Sequence, residues 1–425
     1  MRQEKRYQNS FPRELLVTGY VFNKIACLVT NEGVVAKSGV RPEEKDLGLV
    51  HNAALVYSQA KGVLWSGPEK SLPKEFKAKQ WKHFDCKGLT AYPGLVDAHT
   101  HPVFAGDRSR EFELRMRGAT YQEIAAAGGG IATTVKSTRA ASTKELQDLL
   151  EARLEKAKGF GVRLLEAKSG YGLDIKTEMR SLEVIKKAKT KGIEVVATCL
   201  AAHAIPPERK HEREAYIKEI AEVILPKVAK LKLAEYVDVF CDQGYFTVDE
   251  ALFLVKAAYN LNLSARLHGE ELAHTGIAAK AAELGVHSVD HLLKIDDAGI
   301  KALAKAGTVA VLLPGTSFYL RETPAPARKL IDAGVLVAVA TDFNPGTCPT
   351  QNLPLIGSIS AIALGMTTAE IIAALTWNGA RSLRREKTYG ALLPGFRGMP
   401  AFAEGDHPSA LFYNLAPAAL PDPLA

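Results

Sequence analysis

From Leu89 to Phe343 the chain alternates between two patterns. Short apolar runs rich in β-branched residues end at a polar or glycine-containing break. Each is followed by a longer stretch whose leucines, isoleucines and alanines recur every three or four positions. The first pattern reads as buried strands and the second as amphipathic helices. The strand runs are GLTAYPGLVDAH, GVRLLEAKSG, IEVVATCLAAH, YVDVFC, LSARLHGEE, HSVDH, TVAVLLP and VLVAVATDF. Helices are predicted at TKELQDLLEARLEKAKGF, TEMRSLEVIKKAKTKG and EREAYIKEIAEVILPKVAKL, among others. Alternating β and α elements imply a parallel sheet, and about eight repeats imply a closed (β/α)8 TIM-like barrel. GGGIATTVKSTRAA is expected to be part of a long connection after the first strand, since three glycines favour a loop.

The flanks carry a different pattern. LLVTGYVF, KIACLVT, GVVAKSGV, AALVYSQ and GVLWSG read as short strands separated by turns, and SALFYNL near the C-terminus reads as another. The expected organisation is a small β-sandwich domain built from both termini, residues 1–90 and 387–425, around a barrel at 91–386.

Composition narrows the function classes. The net charge of +7 on 425 residues comes from lysines scattered among glutamates, which describes solvated helix faces and not a nucleic-acid surface. The five cysteines contain no C-x-x-C pair, so neither a disulfide framework nor a zinc knuckle is predicted. No apolar run is long enough to span a bilayer, and the N-terminus lacks a signal-like segment. The expectation is a cytoplasmic protein acting on a small molecule, without nucleic-acid or membrane partners.

Candidate chemistry gathers at the C-terminal ends of the strand runs, where barrel enzymes build their sites. Asp97-x-His99-x-His101 comes first; alternation along a strand points all three side chains the same way. Lys168 with Tyr171, His203, Asp242, His268 with Glu271, Asp290 with His291, and Asp342 with Asn344 follow. A single H-x-H is more often structural than metallic, and an aspartate after a strand is often only a helix cap. Of the eleven histidines, however, His99, His101, His203, His268 and His291 all fall at strand ends, and capping does not explain histidines. His99, His101, His268 and Asp342 would suit one Zn²⁺ or Fe²⁺ ion with a position left for water.

Glu271 is placed to move a proton from water acidified by that ion, a shift from 15.7 to ~7, with Glu270 as its rival. His291 is placed to donate to a developing oxyanion. Arg108 is a candidate carboxylate clamp, although Arg110 and Glu111 beside it would equally make an exposed ion-pair cluster. The triple glycine lacks the context of a phosphate loop.

These residues resemble the amidohydrolase superfamily and, within it, the imidazolonepropionase family. The matching stretches are PGLVDAHTHPVFAGDRSREFELRMRGATYQEIAAAGGGI, EAKSGYGL, AAHAIP, DVFCDQGYF, HGEEL, VDHL, LLPGTSF and ATDFNPGT. The resemblance implies His99, His101, His268 and Asp342 as ligands of one zinc or iron ion per chain, with Glu271, His291 and Asp342 catalytic. It implies substrate contacts at Arg108, Tyr121, Tyr171, His203, Glu271, Asn344, Gly346 and Thr347, and a homodimer. The implied reaction is hydrolysis of the ring amide of 4-imidazolone-5-propanoate to N-formimidoyl-L-glutamate. Departures include Asp242 and Gln243, where glutamate and lysine are common. Two other readings compete: a deaminase or cyclic amidase acting on another small heterocycle, and an inactive barrel serving as a binding module.

Overall fold

The computed structural model describes residues 19–118, 123, 129–188, 190, 192–415 and 419–422. The chain enters through β1 (Gly19–Val29), which runs through both of the first two apolar runs and bulges at Asn23–Lys24. It pairs with β2 (Leu49–Ser58), β2 pairs with β3 (Gly62–Pro68), and β4 (Lys82–Asp85) and β5 (Leu89–Tyr92) lie parallel to β1.

The segment GVVAKSGV is not a strand; Glu32–Ala36 is helical. Asn31 begins this turn in the left-handed region, and its Nδ2 donates to Thr376 Oγ1 at 2.8 Å and Gly390 O at 2.9 Å. Those bonds dock the segment on the rest of the molecule and take it away from the sheet.

The apolar run GLTAYPGLVDAH divides at Pro93–Gly94. Its first half is β5, and its second half begins the barrel as β6 (Leu95–Asp97). A side chain at Gly94 would meet Arg163 Cγ and Met399 O, both at 2.5 Å, so the crossing between sheets needs glycine. The barrel continues through β7 (Val162–Lys168), β8 (Glu194–Ala202), β9 (Tyr236–Cys241), β10 (Ser264–Gly269), β11 (Ser288–His291), β12 (Val309–Leu312) and β13 (Val337–Val339). These form one eight-stranded parallel sheet in sequential order. Closure comes beyond the ends of β6 and β13, where Thr100 bridges Phe343. There Asp342 N donates to His99 O at 3.0 Å and His101 N to Phe343 O at 2.9 Å. Just below, Asp97 accepts from Thr341 N at 3.0 Å and Thr341 Oγ1 at 2.7 Å.

The predicted helices at 143–160 and 177–192 appear as Thr143–Gly159, capped by Ser142, and Ile175–Lys187, capped by Asp174. The long helix from Arg213 to Leu231 widens into a π-turn at Ile220–Ile224, directly before Pro226, whose nitrogen has no hydrogen to donate. The connection after β6 is not all loop: it contains helices Ser109–Met116 and Ile131–Ala140.

At the C-terminus the strand lies earlier than expected. β14 (Ala401–Glu404) pairs antiparallel with β5, which completes a six-stranded mixed sheet from both ends of the chain. SALFYNL contributes the short helix Ala410–Tyr413, whose Leu411 N donates to Tyr92 Oη at 3.2 Å and whose Leu411 and Phe412 are buried. All five cysteines are free and buried. Among the described residues no helix is long and apolar enough to cross a membrane.

Candidate active site

The ends of β6, β7, β8, β10, β11 and β13 converge on one cavity of about 560 Å³. Three imidazoles meet at its floor. His99 Nε2 lies 3.2 Å from His101 Nε2, and His268 Nε2 lies 3.4 Å from the same atom. Asp342 Oδ1 stands 3.5 Å from His99 Nε2 and 3.3 Å from His101 Nε2.

The surrounding groups fix what these atoms are. His99 Nδ1 donates to Asp290 Oδ2 at 2.6 Å, and His268 Nδ1 lies 3.0 Å from Asp238 Oδ2. Asp290 holds the His99 proton on Nδ1 and leaves a bare lone pair on Nε2, and the Asp238 carboxylate beside His268 Nδ1 favours the same tautomer there. Burial first, then neighbouring positive charge, keeps His99 well below the ordinary imidazole pKa; burial brings His101 to about 4 and His268 to about 3. Burial pushes Asp342 up, but hydrogen bonding from His101 and the charge of His291 prevail and hold it at about 2. Neutral imidazoles and an ionised carboxylate are the states a cation requires.

His99 Nε2, His268 Nε2 and Asp342 Oδ1 all lie 3.2–3.4 Å from His101 Nε2. Four ligands at ~2.1 Å in a tetrahedral array stand ~3.4 Å apart, close to the separations found here. The residues therefore fit one divalent cation.

Beneath them lies a buried charge network. Lys168 Nζ contacts Glu166 Oε1 and Asp238 Oδ2, each at 2.7 Å, and Arg266 Nη2 donates to Asp290 Oδ2 at 3.0 Å and Ala98 O at 2.8 Å. Every one of these side chains is inaccessible to solvent. Lys168→Met would remove the cation that Glu166 and Asp238 share, so a loss of about 3–5 kcal/mol in unfolding free energy is expected. Cation affinity should fall by about 10–100-fold as Asp238, the partner of His268, loses the lysine that holds it. Equilibrium denaturation with metal titration measures both; unchanged values would refute this account of the network.

Around the floor, three site residues sit in left-handed backbone: Glu270 (φ 56), His291 (φ 77) and Asp342 (φ 52). Such positions cost about 1–3 kcal/mol each and collect at functional sites. The kink at Glu270 separates the two rival glutamates. Glu270 is buried away from the cavity, where it accepts from Gly276 N at 2.7 Å beside His274. Glu271 lines the cavity, with Oε1 3.6 Å from His291 Nδ1. Burial, opposed by His291 and reinforced by Asp342 and Asp242, raises the Glu271 carboxyl to about 7.

His203 Nδ1 donates to Gly170 O at 2.9 Å, which leaves Nε2 as an acceptor. The Ser169–Leu173 turn that carries Tyr171 wraps the buried Glu178, whose carboxylate accepts from the amides of Gly170, Gly172 and Leu173.

Arg108 lines the cavity, but it is not in the exposed cluster considered from sequence. Its Nε donates to Glu111 Oε2 at 2.7 Å, with both side chains nearly buried. A Cβ at Gly346 would stand 2.1 Å from Arg108 Nη1, so glycine lets the guanidinium lie against the 344–347 turn. Asn344 shapes that turn, with Oδ1 accepting from Gly346 N and Thr347 N, both at 2.8 Å. Thr347 lies on the cavity wall. Tyr121 lies outside the described residues.

Sequence reasoning missed Asp238 and Arg266, charges set inside apolar strand runs, which was the available signal. It also missed Thr316, which donates to Asp342 Oδ2 at 2.5 Å, and Arg115, which donates to Gly346 O at 2.8 Å and lies over Tyr319.

Residues 90–417 match the model of the amidohydrolase family. An imidazolonepropionase of Bdellovibrio bacteriovorus is 44% identical over 378 residues, 89% of this chain and 88% of its own. One from Geobacillus kaustophilus is 43% identical over 371 residues, 87% of each chain. Among solved structures, an adenosine deaminase from Xanthomonas campestris with bound zinc superposes with a TM-score of 0.66 at 15% identity, covering 93% of this chain and 89% of that one. An atrazine chlorohydrolase mutant from Arthrobacter aurescens, complexed with zinc and atraton, gives 0.64 at 13% identity, covering 94% and 92%. The barrel, the histidine–aspartate cluster and these relatives lead to one conclusion: the chain belongs to the amidohydrolase family and, within it, to the imidazolonepropionases.

Proposed function

We infer that this chain hydrolyses the ring amide C–N bond of 4-imidazolone-5-propanoate to N-formimidoyl-L-glutamate, a step of L-histidine degradation. The carrying observation is a single cavity holding three convergent imidazole nitrogens with Asp342, a buried glutamate at their edge and a guanidinium in its wall. The sequence similarity to imidazolonepropionases along most of both chains supports the same substrate.

His99, His101, His268 and Asp342 would hold one Zn²⁺ or Fe²⁺ per chain; the zinc in structurally similar proteins supports the first. The ion supplies Lewis acidity and makes water a nucleophile near neutral pH. Glu271 takes the proton that water loses as it adds to the ring carbonyl carbon, then returns it to the ring nitrogen as the C–N bond breaks. A carboxyl poised at about 7 suits both halves of that transfer. His291 donates toward the carbonyl oxygen as charge gathers there. His203 Nε2 accepts from a ring N–H, and Tyr171, Asn344, Gly346 and Thr347 shape the remaining wall. Arg108 binds the propanoate, and the family resemblance adds Tyr121 as a further substrate contact.

The reading extends to a cytoplasmic homodimer with no nucleic-acid or membrane partner. It takes residues 91–386 as the catalytic unit and 1–90 with 387–425 as one small domain.

Metal quantification combined with an assay on the imidazolone acid tests the function; protein that holds a full equivalent of metal yet leaves this substrate intact would end the assignment. Arg108→Ala should raise KM about 10–100-fold with kcat little changed, since a charged hydrogen bond common to ground and transition states is removed. An unchanged KM would point instead to a substrate without a carboxylate.

A further inference from the structure

The turn that carries Glu271 is folded around a carboxylate from the end of the preceding strand. Asp242 follows the last residue of β9 and is almost wholly buried. Its Oδ2 accepts from Glu271 N at 2.7 Å and Leu272 N at 2.9 Å. Its Oδ1 accepts from Ala273 N at 3.0 Å and Gln243 N at 2.7 Å. The left-handed Glu270 makes this arrangement, because it turns three successive amides toward one point. Asp242 is held in turn by its own loop, where Tyr245 N donates to Asp242 O at 3.0 Å and Phe246 N to Phe240 O at 3.1 Å.

We propose that Asp242 is the positioning residue for Glu271: the three amide bonds it accepts from Glu271, Leu272 and Ala273 fix the backbone from which the proton-transferring carboxylate projects. The inference rests on the hydrolase reading above. Asp242 itself does not line the cavity. Its effect is geometric, and a displacement of about 1 Å in such a group costs about 10²-fold in rate.

Asp242→Asn keeps the shape and removes the anchor. Whichever way the amide is turned, its NH₂ faces two backbone N–H groups in place of an acceptor. The expected result is a kcat about 10²-fold lower, KM within about threefold and full metal content. Amide hydrogen exchange at Glu271, Leu272 and Ala273 should accelerate. In a Glu271→Gln background the same substitution should lower kcat by no more than about threefold, because the group it positions is already gone. Equal losses in both backgrounds, or unchanged exchange at the three amides, would overturn the proposal. The exchange measurement uses no substrate, so it decides the anchoring role even if the imidazolone acid proves to be the wrong substrate.

Discussion

Replacing Glu271 with glutamine is expected to lower kcat about 10²–10⁴-fold while the protein keeps its full complement of metal. The substitution preserves size and hydrogen-bonding reach but removes the ability to accept a proton. Glu271 stands outside the cluster of His99, His101, His268 and Asp342, so metal content should not follow activity. The separation of the two is the informative part. Steady-state kinetics beside metal analysis measures it, and a variant that turns over within tenfold of the parent would remove Glu271 from the mechanism. The wild-type kcat/KM should fall as pH drops below the Glu271 pKa, because burial raises that pKa and only the ionised form is a base.

Replacing His99 with asparagine is expected to abolish activity through loss of the metal. Groups that merely orient ligands are worth about 10–100-fold in affinity, so loss of a ligand should exceed about 100-fold. His99 is fully buried, and Asp290 retains Arg266 and Ser288 as partners after the change, so the fold should persist. Thermal unfolding gives a second readout: a bound ion stabilises the native state by mass action, raising Tm of the parent when zinc is added. The variant should show no such rise. A variant that still takes up one equivalent with unchanged affinity would dismiss His99 as a ligand.

The sequence made the barrel legible because its buried parallel strands are mostly apolar, and polar letters gather where they end. His268 and Asp342 could be paired with the H-x-H for that reason. What stayed hidden was set by three dimensions. Nothing local distinguishes Glu270 from Glu271; a positive φ at Glu270 does so. The sequence RSRE allows an ion pair between Arg108 and Glu111 but not its burial, which depends on Gly346 more than 200 residues away. In the flanks, GVVAKSGV and SALFYNL have strand-like composition, yet contacts made by Asn31 and by Tyr92 Oη favour helices there. Short apolar segments are decided by what they dock against.

The seam between Thr100 and Phe343 has a thermodynamic consequence. The amide and carbonyl groups that join the first and last strands belong to, or adjoin, His99, His101 and Asp342. A cation shared by those side chains ties together the same two chain segments that the seam bonds join. Opening the ring and releasing the ion are thereby linked equilibria, each opposing the other. Because the seam unites residues more than 240 positions apart, the entropy of closing that loop must be overcome before the ligand set exists. A nascent or half-folded chain presents only the H-x-H pair, so tight uptake of the ion is confined to barrels that have already closed.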